Sequence, residues 1–168
     1  MLILIRERLL IMIPSFEPVE YREEFRPALI DFPEKCLPES GRALDINGRH
    51  SFYLDIRHGF SRFMCMFDGI EMIGTAAVRV IDSTSCELKS LYLLERYHGK
   101  GFGRQLLDEA VSCARKLGCR RMFLDTLSTS HRAIALYLRA GFVPAEKYNQ
   151  AERSDVFMVL ELNRSADN

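Results

Sequence analysis

Between Arg96 and Leu107 the chain reads RYHGKGFGRQLL, with Gly99, Gly101 and Gly103 set close together and an apolar pattern of helical period straight after them. A strand, a glycine-rich turn and a helix N-terminus in succession suit an anion. Glycine lets the backbone approach a ligand and adopt positive φ, and the first N–H groups of a helix point outward without partners. Phosphate is the natural guest. A Walker loop needs its lysine after the glycines, whereas Lys100 precedes Gly101 and Gly103 and Arg104 follows them. A dinucleotide fingerprint needs a third glycine where Arg104 or Leu106 stands. What remains is the turn His98-Gly99-Lys100-Gly101-Phe102-Gly103 leading directly into a helix.

That helix is predicted over Phe102 to Leu117, with Leu106, Leu107, Ala110, Cys113 and Ala114 on one face and Arg104, Asp108, Arg115 and Lys116 on the other, and Gly118 stops it. Arg120 to Thr126 reads as a strand. Ser128 to Ser130 can cap a second helix carrying Ala133, Leu136, Tyr137 and Ala140 and closed by Gly141. Strand, helix, strand, helix is a right-handed parallel crossover unit. A last strand is predicted over Asp155 to Leu162.

Upstream, Ser61 to Phe67 and Glu71 to Ile81 are strand-like runs joined by Asp68-Gly69, a tight hairpin signal, and Glu87 to Leu93 is a further strand. Leu9 to Phe16 reads as a first strand, with Pro14 placing it at an edge or ending it in a bend. Residues 1 to 8 are either an extra strand or an upstream extension, which sets the domain at 9–164. Apolar residues from Glu20 to Phe32 recur at helical spacing, and Pro27 inside the run implies a kink or a late start. PEKCLPESGRALDING then reads as a loop of the kind that chooses a substrate, followed by a short helix from His50 to about His58. The expected fold class is α/β, an antiparallel meander followed by the crossover unit in one mixed sheet.

A chain of 168 residues with 48% hydrophobic side chains is the size of one ordinary domain, which buries roughly 70% of its unfolded surface. Lys plus Arg and Asp plus Glu number 23 each, so no global field favours nucleic acid or an anionic membrane. Cys36, Cys65, Cys86, Cys113 and Cys119 form no C-x-x-C pair of the kind that structural zinc uses, and they read as core thiols of a reducing cytosol with no metal. Arg6, Glu7 and Arg8 break the apolar N-terminal run, and nothing approaches the ~20 apolar residues of a membrane span. A cytoplasmic location is the expectation.

The run ELKSLYLLERYHGKGFGRQLLDEAVSCARKLGCRRMFLDTL, followed by AIALYLRAGF, resembles the acetyl-CoA-binding half of the GNAT superfamily of N-acetyltransferases. The likeness covers roughly Glu87 to Phe142 and agrees in the order and spacing of its elements. It implies a GNAT fold with a central sheet of about six to seven strands and a splayed strand pair opening an acetyl-CoA cleft. The family loop Q/R-x-x-G-x-G/A maps onto His98, Gly99, Lys100, Gly101, Phe102 and Gly103, with Arg104 next, and implies that backbone amides hold the coenzyme A pyrophosphate. His98 departs from the Gln or Arg of the pattern, and Phe102 is expected to turn inward. Leu91, Tyr92 and Leu93 match the segment that hydrogen-bonds the pantetheine arm, with Tyr92 facing either the cleft or the core. Ser130 stands where family members often carry Asn, three residues before Ala133, and either contacts the cofactor or caps its helix.

Acetyl transfer from a thioester to an amine requires a neutral amine, stabilisation of the oxyanion and a proton for the departing thiolate. Tyr137 matches the family tyrosine beside the sulfur, so the resemblance implies a general acid there, the other reading being a packing residue. Glu87 matches a position where many members carry the base, and a solvent-facing strand start is the alternative. Backbone N–H groups near Leu93 are the natural oxyanion donors. Direct attack on acetyl-CoA by a primary amine of a small molecule or protein is implied, with Tyr53, Asp55, Asp82 and Tyr148 as acceptor-side candidates. A homodimer is plausible on the family's habits. The competing classes are a catalytically silent acetyl-CoA sensor, which would bind without thiol release, and a structural domain, which would tolerate Gly101→Asp.

Overall fold

The computed structural model describes residues 2–5, 9–12 and 15–162, with side chains from Ser15 onward. Strand β1 (Leu2–Ile5) pairs antiparallel with β2 (Leu9–Met12) in a separate two-stranded ribbon. The main sheet contains β3 (Val19–Glu20), β4 (Arg62–Asp68), β5 (Glu71–Val80), β6 (Ser85–Leu93), β7 (Arg121–Thr126), β8 (Val143–Pro144) and β9 (Val156–Glu161) in the order β3-β4-β5-β6-β7-β9-β8. Only β6 and β7 run parallel; the other neighbours are antiparallel. The expected first strand is therefore split. Leu9–Met12 joins the ribbon, residues 13 and 14 lie outside the described residues along with the bend ascribed to Pro14, and Ser15 makes one bridge to Phe67. The end of the expected domain, residues 163 and 164, also lies outside them.

Among the described residues four helices accompany the sheet: α1 (Arg26–Glu39), α2 (Ile56–Gly59), α3 (Phe102–Lys116) and α4 (His131–Arg139). The helix expected over Glu20 to Phe32 starts late, after a single tight turn at Glu23–Phe25, and Pro27 occupies its first turn, where a missing N–H costs nothing. The loop expected from Pro33 is instead helical to Glu39. An internal proline costs about 3 kcal/mol, but Leu29, Phe32, Pro33, Cys36 and Leu37 all bury on this stretch, and a buried large apolar side chain returns about 1.5–3 kcal/mol. Burial outweighs the break. A Schellman turn then ends α1, with Gly41 N–H on Pro38 O at 2.9 Å and Arg42 N–H on Leu37 O at 2.9 Å.

The short helix expected from His50 to His58 forms as a tight turn, Ser51–Leu54, followed by α2. The hairpin at Asp68-Gly69 joins β4 to β5 as the dipeptide predicts. Helix α3 buries Leu106, Leu107, Ala110 and Ala114, and its Cys113 lies against Met64 of β4. All five cysteines are buried as free thiols.

Candidate active site

The parallel ladder between β6 and β7 consists of three pairs, Ser85↔Arg121, Cys86↔Met122 and Glu87↔Phe123, and then stops. Beyond Glu87 the two strands no longer pair, and the second half of β6, Lys89 to Leu93, is half-buried. A bulge shapes that half. Thr75 pairs with Tyr92 and Ala77 with Lys89, so one residue of β5 opposes two of β6, and Ser90 takes φ +50° to absorb the extra residue. The Thr75 hydroxyl donates to Ser90 O at 2.7 Å and pins it. Directly paired residues share a face, so Tyr92, Lys89 and Glu87 all project with Thr75, Ala77 and Arg79. Without the bulge, Tyr92 would lie on the opposite face from Lys89.

Leu94 N–H bonds to Ile73 O at 2.9 Å, toward β5. Strand alternation turns the N–H and C=O of Leu93 the other way, away from β5. Cys36 of α1 lies close to the Leu93 backbone, and burial pushes its thiol up to about 12, which leaves it protonated and no nucleophile.

At the glycine loop, Gly99 and Gly101 have φ +76° and +87°, and a Cβ on either would meet open space. The first bond of the α3 turn is Gln105 N–H to Gly101 O at 3.1 Å. The N–H groups of Phe102, Gly103 and Arg104 therefore have no helical acceptor, and Gly101 provides no side-chain cap. Unpaired amides at a helix start are where an anion could be held. Phe102 turns inward and stacks on Phe16, ring centroids 5.0 Å apart. Lys100 folds over the Tyr97 ring, and Arg104 Nε donates to both carboxylate oxygens of Asp108, at 2.8 and 2.9 Å.

His98 does not project freely. Its Nε2 lies 2.9 Å from Leu93 O, a pure acceptor, so that nitrogen carries the proton and Nδ1 accepts from Arg132 at 3.1 Å. The imidazole buttresses the loop, and the exposed cation it positions beside the cradle is Arg132, a residue sequence reading passed over. Ser130 sits at the N-cap of α4 but makes no capping bond; its Oγ accepts from Arg42 Nη2 at 3.3 Å. Ala133 is half-buried on the first turn of α4.

The Tyr137 ring is buried against Phe142, and among the described residues no hydrogen bond to its hydroxyl is present. Burial is the main cause of its raised pKa, and the nearby Tyr92 adds to it, so the phenol stays protonated throughout the physiological range. Burial likewise raises Tyr92.

Glu87 is buried rather than solvent-facing. Arg79 donates to its Oε2 at 2.6 and 2.9 Å, Asn149 to its Oε1 at 3.3 Å, and Lys89 Nζ stands 3.5 Å away. Burial works to raise its pKa, but Lys89 and Arg79 outweigh it and hold the carboxyl below its usual range. Asp125 on β7 is similarly held low, burial being overcome by Lys89 at 2.6 Å and Ser154 at 2.5 Å, with Asn149 at 2.9 Å and Tyr148 at 3.3 Å completing its shell. Of the acceptor-side candidates, only Tyr148 and Tyr53 face this region. Asp55 caps α2 through His58 N–H, and Asp82 folds onto Thr84 in an exposed turn. Tyr53 lies fully buried beside Tyr92 and Cys36, its hydroxyl without a partner. Asp125, Asn149 and Arg42 became visible as site residues only through the fold.

Among the described residues no cluster of His, Cys, Asp or Glu is arranged to hold a metal, and no helix is long and apolar enough to cross a membrane. Residues 20–142 match the family model described as acetyltransferase (GNAT) family. The chain is 32% identical over 87 residues to the uncharacterized N-acetyltransferase YjgM of Escherichia coli (strain K12), covering 50% of this chain and 52% of that one. It is 30% identical over 107 residues to the uncharacterized N-acetyltransferase YobR of Bacillus subtilis (strain 168), covering 60% and 42%. The chain thus spans about half the length of these curated relatives. In fold it is similar to a GNAT-family acetyltransferase of Staphylococcus aureus Mu50, with TM-score 0.77, 18% identity and coverage of 88% of this chain and 99% of that one. It is also similar to yncA of Salmonella typhimurium, a structure containing acetyl-CoA, with TM-score 0.65, 20% identity and coverage of 90% and 96%. With 123 contiguous residues under the family model, the chain belongs to the acetyltransferase (GNAT) family.

Proposed function

We propose that the protein transfers an acetyl group from acetyl-CoA to a primary amine by direct attack within a ternary complex. The observation that carries this reading is the end of the β6–β7 ladder at Glu87↔Phe123, which leaves the second half of β6 free to line a cofactor cleft. The N–H groups of Gly99 to Arg104 hold the diphosphate, with Lys100, Arg104 and Arg132 as the nearby cations, and His98 stiffens the turn. The backbone of Leu91, Tyr92 and Leu93 aligns the pantetheine arm, Ala133 and Ser130 flank it, and coenzyme A supplies the activated thioester.

The Leu93 N–H stabilises the charge that builds on the acetyl oxygen. Tyr137, neutral across the working pH range, donates its hydroxyl proton toward the leaving sulfur. A phenol of raised pKa is a weaker acid than a thiol, so its contribution is a hydrogen bond that strengthens as the sulfur gains charge. Glu87 accepts two hydrogen bonds from Arg79 and one from Asn149 and has a lowered pKa, which makes it a poor proton acceptor. We assign it the role of a buried counter-charge that orients Lys89 and Asn149, and the amine sheds its proton to water.

Calorimetric titration with acetyl-CoA, on this protein and on Gly101→Asp, tests the reading. Binding that the mutation abolishes, followed by thiol release with an amine, supports it. Binding without thiol release for any amine identifies a sensor, and absence of binding by a folded protein removes the cofactor reading altogether.

A further inference from the structure

We propose that Arg42 anchors a carboxylate on the acceptor, so that the amine acetylated by this chain is that of a small amino acid-like molecule. The inference rests on the acetyltransferase reading of the cleft and specifies its second substrate.

Arg42 leaves α1 at the Schellman turn, where its N–H is fixed to Leu37 O at 2.9 Å. The segment that follows is braced from within. Arg49 donates to Ala43 O at 2.7 Å, and Asp45 N–H donates to His50 Nδ1 at 2.9 Å. From this base the half-buried Arg42 side chain crosses to the N-cap of α4 and donates to Ser130 Oγ at 3.3 Å. Its charge is felt at Tyr92, Tyr137 and Cys36, acting in each case to lower the pKa that burial raises. Arg42 therefore stands at the N-cap of α4, on the side of the site that holds Tyr92 and Tyr137.

Four neighbouring cations are matched, Arg79 to Glu87, Lys89 to Asp125, Arg104 to Asp108, and Arg132 to Glu95 at 3.6 Å, while Arg49 spends a donor on Ala43 O and Lys100 lies over the Tyr97 ring. Arg42 forms no ion pair among the described residues, and its one side-chain hydrogen bond goes to a neutral hydroxyl. A guanidinium has five N–H donors, so most are unspent. Among the described residues the buried hydroxyl of Tyr53 lacks a hydrogen-bond partner, while the carboxylates Glu87 and Asp125 already accept from donors of their own. The local deficit is one of acceptor atoms and one negative charge. A carboxylate supplies both, and it matches a guanidinium fork. A phosphate monoester carries about −1.5 to −2 and would leave excess charge beside the phenols.

The test uses the full chain, acetyl-CoA and matched amines that differ in the carboxylate: L-methionine against 3-(methylthio)propylamine, L-phenylalanine against 2-phenylethylamine, and L-leucine against isopentylamine, with O-phosphoethanolamine as a separate arm. Thiol release gives kcat/KM, and calorimetry gives the acetyl-CoA affinity. The amino acid of at least one pair should be preferred by about 10–100-fold, the worth of a hydrogen-bonded charge. Arg42→Gln should erase that preference while leaving acetyl-CoA affinity unchanged, and Arg42→Lys, which keeps the charge without the fork, should restore part of it. Equal use of both members of every pair, preference for O-phosphoethanolamine, no thiol release with any amino acid by a protein that binds acetyl-CoA, or loss of cofactor affinity in a folded Arg42→Gln would each overturn the assignment. Failure of the unmodified protein to bind acetyl-CoA would remove the acetyltransferase reading along with it.

Discussion

The Lys89 ammonium reaches Asp125 Oδ1 at 2.6 Å across the gap where β6 and β7 have ceased to pair. One ion pair stands where a strand ladder would otherwise continue. Because Asp125 also collects Ser154, Asn149 and Tyr148, the bridge ties the splayed strands to the segment that leads into β9.

Lys89→Met should destabilise the protein by about 1–3 kcal/mol in urea unfolding at pH 7, since it leaves a largely buried carboxylate with neutral donors only. Glu87 and Asp125 both have folded pKa values depressed below their usual 4.5 and 3.8. The stability they contribute is complete above those usual values and is lost as pH falls through the lower folded ones. The gap between Lys89→Met and the parent should therefore narrow below about pH 4. A gap that is constant from pH 7 to pH 3 would show that Lys89 acts by packing alone.

A second acid-sensitive window lies higher. The His50 Nδ1 accepts Asp45 N–H, and burial, reinforced by Arg49, lowers the pKa from the usual 6.5. A depressed histidine contributes stability above its unfolded value and loses it as pH falls through the folded one. The thermal midpoint of the parent should drop between pH 7.5 and 5.5, and His50→Gln should flatten that drop.

Gly74→Ala tests how closely β5, β6 and α3 approach. A Cβ there would meet Leu106 Cδ1 at 2.8 Å, Leu93 Cδ1 at 3.1 Å and Tyr92 O at 3.1 Å. Relief requires movement of the strand that lines the cleft, so a loss of about 1–3 kcal/mol is expected, together with weaker acetyl-CoA binding. A stability within experimental error of the parent would mean the side chains yield freely.

Tyr53→Phe should leave the protein as stable or raise its stability by about 1 kcal/mol, because the hydroxyl it removes is buried without a partner. Urea unfolding measures this directly. A loss of a kilocalorie or more would show that the hydroxyl is paired in solution, for example through a bound water.

Tyr137→Phe should lower kcat by about 10–1000-fold, in the range of a single acid or oxyanion donor, with acetyl-CoA affinity unchanged. The parent should show no loss of activity up to about pH 10 that traces to Tyr137, since burial keeps that phenol protonated. Undiminished turnover in the variant would return the residue to simple packing against Phe142.

Much of the scaffold is legible along the chain because its causes are local. The Asp68-Gly69 turn, the apolar face of α3 and the glycines before it depend on φ preference, helical period and unpaired amides, all properties of residues near one another in sequence. Helix α1 is where local signals mislead. Pro33 and Pro38 read as breakers, yet the sheet buries that stretch and carries the helix to Glu39.

The sequence by itself determined the order of elements, the positive-φ glycines that lead into α3, and the tyrosine on α4. Tertiary structure alone decided the chemistry of the individual side chains. The bulge at Ser90 sets Tyr92 on the face of Glu87 and Lys89, and the fold buries Glu87 and pairs it with Arg79 and Asn149. The reach of Arg42 to Ser130 brings a loop 88 residues away onto the cleft. Local backbone preference acts over a few residues, whereas strand register, burial and the partner each charge finds depend on residues that meet only after the chain has folded.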